Sequence, residues 1–207
     1  MGVVVHIAHC DITTSRDSAG VYVRGSSICR KVSEIVRTYM SSNHFSKEHF
    51  REIIHLIDMD GAYIPDEAVV YSGEKKSPFY SSTSILTDRV SNIIKRNHQK
   101  RSCLDRLSIT EALCGIPYHA YYMSCNLDHV LYDKLNLTDR EKGKFSMEFA
   151  RKYRDRTQDF ISFISDSEFS VKTDYVSSWH FIKEGLHSLE RHTNFGLGLD
   201  RALEPYL

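Results

Sequence analysis

The apolar positions of this chain change period several times. VVVHIAHC (3–10) is a run of β-branched and other apolar residues that suits a buried strand. The polar, glycine-containing stretch TTSRDSAGVYVRGSS then reads as a loop. From there the period turns helical: Ile28, Val32, Ile35, Val36 and Tyr39 recur at the right spacing, with Ser26 or Ser27 as N-cap. A short helical stretch, SKEHFREI, leads into the strand IIHLIDMD. Strand, helix and fully apolar strand, in that order, predict a βαβ unit and a largely parallel sheet flanked by helices.

Residues 62–82 form a long connection, and a loop of that length in a compact domain is often functional. TSILTDRVSNIIKRNHQKR then predicts a helix over 83–101, with Ile85, Leu86, Val90, Ile93 and Ile94 on one side. IPYHAYYMSC (116–125) reads as another strand, dense in aromatics. Three helical segments follow: NLDHVLYDKL, then TDREKGKFSMEFARKYRDRTQDFISFI, then YVSSWHFIKEGLHSLERHT. TDRE matches the Thr-x-x-Glu capping box, which starts a helix near Thr138. In the last segment Trp179, Tyr175, Phe181, Ile182, Leu186 and Leu189 form a core stripe. His187, Arg191 and His192 lie toward its polar side, and TNFGLG ends the helix. The architecture expected is an α/β core over 1–135 with a helical C-terminal extension, 136–207, packed on it.

Composition narrows the class. The chain has 207 residues, 41% hydrophobic and 26% charged, which is enough for a domain with a real core. Lysine plus arginine and aspartate plus glutamate each number 27, so the net charge is zero and a globally basic nucleic-acid binder is not indicated. Five scattered cysteines without a CxxC pair argue against a disulfide framework and for a reducing setting. No apolar run approaches the roughly 20 residues of a membrane span. The start has no basic leader, and His6 stands where a myristoylation motif wants Ser or Thr. Together these predict a soluble, cytoplasmic chain.

The chemistry worth weighing lies in HLIDMDGAYI (55–64). On a strand, side chains at i and i+2 share a face about 6–7 Å apart. Asp58 and Asp60 therefore project together, with Met59 turned the other way. At the carboxyl end of a parallel strand they lie where open α/β sheets place ligands. Two such carboxylates repel, and Mg2+ or Mn2+ bridging to a phosphate relieves the repulsion. The plainer reading is that Asp60-Gly61 makes a turn and Asp58 caps a neighbouring amide. Both readings stay open at this level.

LIDMDGAYI resembles the Asp-x-Asp strand of TOPRIM domains, found in topoisomerases, primases and OLD-type nucleases, over roughly residues 1–130. That resemblance implies metal-dependent phosphoryl transfer on nucleic acid, with a role in defence or repair. It implies Asp58 and Asp60 as metal ligands, and Asp11 and Asp128 as further catalytic acids. The family's first-strand Glu-Gly is absent; HIAHCDITT has Asp11 as its only acidic group. Asp11 substitutes, or the strand lies in sequence this chain does not contain, or the catalytic acid is lost. The same stretch is also similar to the first motif of haloacid-dehalogenase-type phosphatases, Asp-x-Asp-Gly-Thr, although Ala62 stands at the Thr position. A third reading is a non-enzymatic binding or assembly module with a vestigial acidic pair and an aromatic C-terminal interface.

The remaining candidates each have a bland counterpart. Arg89, Lys95, Arg96, Lys100 and Arg101 form the densest positive cluster and are candidate phosphate contacts; the alternative is a solvated helix face. Asp128 and His129 follow Asn126, which makes a good N-cap, and an aspartate in a first turn meets the helix dipole favourably. His6, His9 and Cys10 do not make a zinc site, because His6 and His9 face opposite sides of a strand. Cys125, next to the cap with His129 one turn on, is a candidate nucleophile; an inert buried thiol is the commoner case.

Overall fold

The structure, a computed structural model, describes residues 12–14 and 24–203. The predicted strand at 3–10, with His6, His9, Cys10 and Asp11, lies outside the described residues. The first helix, α1 (Gly25–Ser42), buries Ile28 and Val32 along the expected stripe. Strand β1 (Ile53–Asp58) follows and pairs in parallel with β6 (Ile116–Met123), from Ile53 opposite Tyr118 to Asp58 opposite Met123. Between them in sequence, α2 (Val90–Ser108) provides the crossover that a parallel pair requires. A two-residue strand, β5 (Ala112–Leu113), adds antiparallel to the start of β6.

The long connection after β1 is not featureless. Strands β2 (Val69–Tyr71), β3 (Phe79–Tyr80) and β4 (Ile85–Thr87) form a second small sheet in the order β2-β4-β3. Within it, β2 and β4 run parallel while β3 and β4 run antiparallel. The largely parallel sheet expected from the sequence is therefore two small mixed sheets, flanked by helices in a mixed α/β fold. The predicted 83–101 helix also needs correction. Ile85 and Thr87 are buried in β4, and the helix begins only at Val90, after the Arg89 amide has bonded the Thr87 hydroxyl at 3.1 Å. An Ile-Leu-Thr tripeptide fits a pleated strand as readily as a helix face, and pairing with Val69–Tyr71 decides for the strand.

The C-terminal half is broken into shorter helices than the sequence suggests. They are α3 (Leu127–Tyr132), α4 (Asp139–Tyr153), α5 (Thr157–Asp166), α6 (Tyr175–Phe181) and α7 (Phe195–Leu203). The capping box at Thr138 is present: its amide donates to Glu141 Oε2 at 2.9 Å and its hydroxyl accepts from the Glu141 amide at 3.4 Å. Asp155 in the left-handed region separates α4 from α5. TNFGLG does not end a helix but begins α7. Gly198 permits this, because a Cβ there would lie 2.8 Å from the Tyr121 ring.

This half also completes the main sheet. Among the described residues, the edge of β6 beyond β5 is met only by an isolated bridge between Met123 and Thr193, and bare backbone groups there would cost stability. The Tyr175 hydroxyl donates to the Ala120 carbonyl at 3.0 Å and accepts from the Ala120 amide at 3.3 Å. Asn194 Oδ1 accepts from the Tyr122 amide at 2.8 Å, and the Thr193 hydroxyl donates to the Tyr122 carbonyl at 2.7 Å. Trp179 packs edge-on against Tyr122, with centroids 5.4 Å apart, in the same core as Ile57, Met59 and Leu104. Among the described residues, no helix is long and apolar enough to cross a membrane.

A candidate site at the carboxyl edge of the parallel pair

Strand β1 ends at Asp58, yet its backbone continues along β6 for two more bonds: the Met59 amide to the Met123 carbonyl (3.0 Å) and the Asp60 amide to the Cys125 carbonyl. Asp60 then enters the left-handed region at φ 50°, followed by Gly61 at φ 66°. Glycine holds that conformation without a steric penalty. The turn departs from strand geometry between the two aspartates, so the shared face expected for Asp58 and Asp60 is lost. Each carboxylate goes to a different helix. Asp58 Oδ1 accepts from the Leu127 amide of α3 at 2.8 Å, whereas the Asp60 carboxylate is bonded by the Lys100 ammonium of α2.

Lys100 is 1% exposed, so this ion pair is largely withdrawn from water. Its neighbours on α2 serve the same turn. Arg96 donates to the Asp60 carbonyl at 2.8 Å and to the Tyr80 hydroxyl at 2.9 Å. Arg101 donates to the carbonyls of Ala62 and Ile64. Three of the five predicted phosphate contacts therefore face inward and hold the Asp60–Ile64 turn. Helical periodicity explains this: Lys100 shares a face with buried Ile93, Asn97, Leu104 and Leu107. Lys95 remains exposed, and Arg89, at the helix start, lies 3.6 Å from Asp88.

Burial and neighbouring charge shape the titration here. Burial pushes the Cys125 thiol up, and the Asp60 and Asp58 carboxylates add to this. With no exposed surface, Cys125 is held as an inert thiol, which overturns its reading as a nucleophile. Burial also pushes the Tyr80 phenol up, again with Asp60 contributing. For Arg96, burial opposes the charged form, but Tyr80 and Asp60 outweigh it and hold the guanidinium above its ordinary value.

On the β6 side, Asn126 caps α3 as expected, accepting from the His129 amide at 3.0 Å. Asp128 sits in the first turn, 3.6 Å from Lys142 of α4. The parallel pairing thus brings Asp58 and the Asn126–Asp128 segment to one edge, with Asp60 drawn away toward α2. Mg2+ or Mn2+ needs several hard oxygen ligands. Among the described residues, no group of three His, Cys, Asp or Glu side chains is placed to hold a metal ion. The Asp60 carboxylate is already neutralised by an ammonium group. The described residues do not fit the divalent ion that the TOPRIM resemblance implies.

Residues 74–80 of the long connection form one wall of a groove of about 390 Å3 whose other wall is Asn126, Asp128, Asn136, Leu137 and Lys142. Lys75, Lys76 and Lys142 all line it. Comparison with family models, with curated proteins and with solved structures finds no match for this chain.

Proposed function

We propose that this chain is a non-enzymatic binding module whose acidic carboxyl edge is part of its frame. The observation that carries this reading is the buried pair between Lys100 and Asp60. An aspartate meant for a divalent ion competes poorly for it while a desolvated ammonium group occupies the carboxylate. Arg96 and Arg101, turned onto backbone carbonyls, support the same reading, because they are spent on the turn and not offered to a phosphate backbone.

The test is calorimetric titration with Mn2+ and Mg2+, followed by incubation with plasmid, single-stranded DNA and a small phosphomonoester. The expected result is no saturable uptake at millimolar metal and unchanged substrates. Metal-dependent turnover that disappears in both Asp58→Asn and Asp60→Asn overturns the reading.

A TOPRIM-like, metal-dependent nuclease is the second reading. It is favoured by one observation: the Asp58 carboxylate sits on the Leu127 amide, one residue from Asp128. It further requires Lys100 to release Asp60, and Asp11, outside the described residues, to supply another acid. Turnover lost in Asp58→Asn and Asp128→Asn together would support it.

A further inference from the structure

A groove runs between the 74–80 segment and α3–α4, and neither the acidic pair nor the basic helix accounts for it. Its base is clasped by Asn136, whose side chain accepts from the Tyr80 amide at 2.8 Å and donates to the Tyr80 carbonyl at 2.7 Å. Asn136 holds φ 57° to do so. The Tyr80 hydroxyl is fixed in turn by Arg96. The loop wall is anchored behind: the Asp88 amide donates to the Lys75 carbonyl at 2.9 Å, and Lys76 lies 3.5 Å from the Asp88 carboxylate. Walls fixed this way leave little conformational entropy to be lost on binding.

Three ammonium groups line this groove, those of Lys75, Lys76 and Lys142; Lys142 lies 3.6 Å from Asp128 and Lys76 3.5 Å from Asp88, solvent-exposed pairs of the weak kind that a bound anion can exchange. Lys75 Nζ stands 4.0 Å from the centroid of the Phe79 ring, so positive charge and an aromatic face meet in one place. Asn126, whose oxygen accepts the α3 cap bond, also lines the groove. A volume of about 390 Å3 falls within the range of small-molecule sites, roughly 300–1,000 Å3.

We propose that this groove binds a phosphomonoester of mononucleotide size, its phosphate held by Lys75, Lys76 and Lys142 and its ring set against Phe79. A phosphate dianion presents enough oxygens to accept from several ammonium groups at once, and charge-assisted bonds of this kind are the strong ones. The phosphate draws Lys75 off the Phe79 face, which frees that face for stacking. The inference rests on the binding-module reading, since it places no bond-breaking step in the groove.

The experiment is calorimetry of the intact chain with AMP, ribose 5-phosphate, adenosine and inorganic phosphate, in EDTA so that metal plays no part. AMP is expected to bind, and Lys75→Gln/Lys142→Gln to weaken it by about tenfold or more. Phe79→Ala should weaken AMP and leave ribose 5-phosphate unchanged, while Lys95→Gln changes nothing. Lys142 is exposed and Lys75 half-buried, and thermal melts check that the variants keep the fold. No AMP binding at millimolar concentration, or binding indifferent to the lysine pair, overturns the site. Inorganic phosphate binding as tightly as AMP overturns the ring contact. Tight binding of a single-stranded oligonucleotide with no AMP binding overturns the size assignment. Metal-dependent cleavage with the lysine dependence intact overturns the binding-module reading alone, so the two failures are distinguishable.

Discussion

Lys100, 1% exposed, donates to the carboxylate of Asp60, a residue 40 positions earlier in the chain. Helix α2 is thereby fastened to the turn that ends β1. Breaking such a pair from one side leaves a desolvated charge without its partner. Lys100→Met is expected to cost about 3 kcal/mol, and Lys100→Met/Asp60→Asn to recover part of that loss. Urea denaturation of the two single variants and the double variant measures the coupling. Additive losses would mean that the two groups do not depend on each other.

Two glycines in helices should respond with opposite signs to the same substitution. A Cβ at Gly198 would lie 2.8 Å from the Tyr121 ring, whereas one at Gly143 meets nothing within 4 Å. Gly198→Ala is expected to destabilise by about 1–3 kcal/mol through overpacking. Gly143→Ala, on an exposed helix position, is expected to stabilise by about 0.5–1 kcal/mol. Thermal melts read both.

The thiols should label in an order set by burial. Cys29 and Cys114 are half-buried, while Cys103 and Cys125 have no exposed surface. Burial pushes the Cys103 thiol up to about 11, so at pH 8 roughly one thiol in a thousand is ionised. Timed alkylation at pH 8 with mass spectrometry should therefore find Cys29 and Cys114 modified well before Cys103 and Cys125. Early modification of Cys125 would contradict the packing around the acidic turn.

Two histidines make stability depend on pH. Burial lowers the pKa of His129, opposed by Asp133 and reinforced by Arg191 and His192. Burial also lowers that of His192, against the hydrogen bond the imidazole donates to the Glu190 carboxylate. Both stay neutral in the fold at a pH where the unfolded chain takes up protons. The unfolded state then binds more protons, so this contribution is present above about pH 6.5 and is lost as pH falls below it. Denaturation at pH 7.5 and 5.5 should show the drop, and a His129→Gln variant should show less of it. An unchanged slope in that variant would remove His129 from the account.

Local chemistry was readable wherever neighbours in the sequence decide the outcome. The Thr138 capping box, the Asn126 cap, the α1 stripe and the β6 strand all depend on residues a few positions apart. The inward turn of Lys100 was also present as a pattern, since it falls on the α2 stripe with Ile93, Leu104 and Leu107, but charge masked it. Ile85–Thr87 misled because an apolar tripeptide satisfies both periods, and only its pairing with β2 selects one.

What the tertiary structure alone decided is the fate of the two carboxylates. The sequence by itself determined that an apolar strand would run into an acidic, glycine-bearing turn at Asp58–Gly61. It could not determine that Asp58 would meet an amide 69 positions away and Asp60 an ammonium 40 positions away. A carboxylate takes its role from whatever charge or N–H group packing delivers within hydrogen-bond reach. That delivery is set by how α2 and α3 dock on the sheet, which no local spacing encodes.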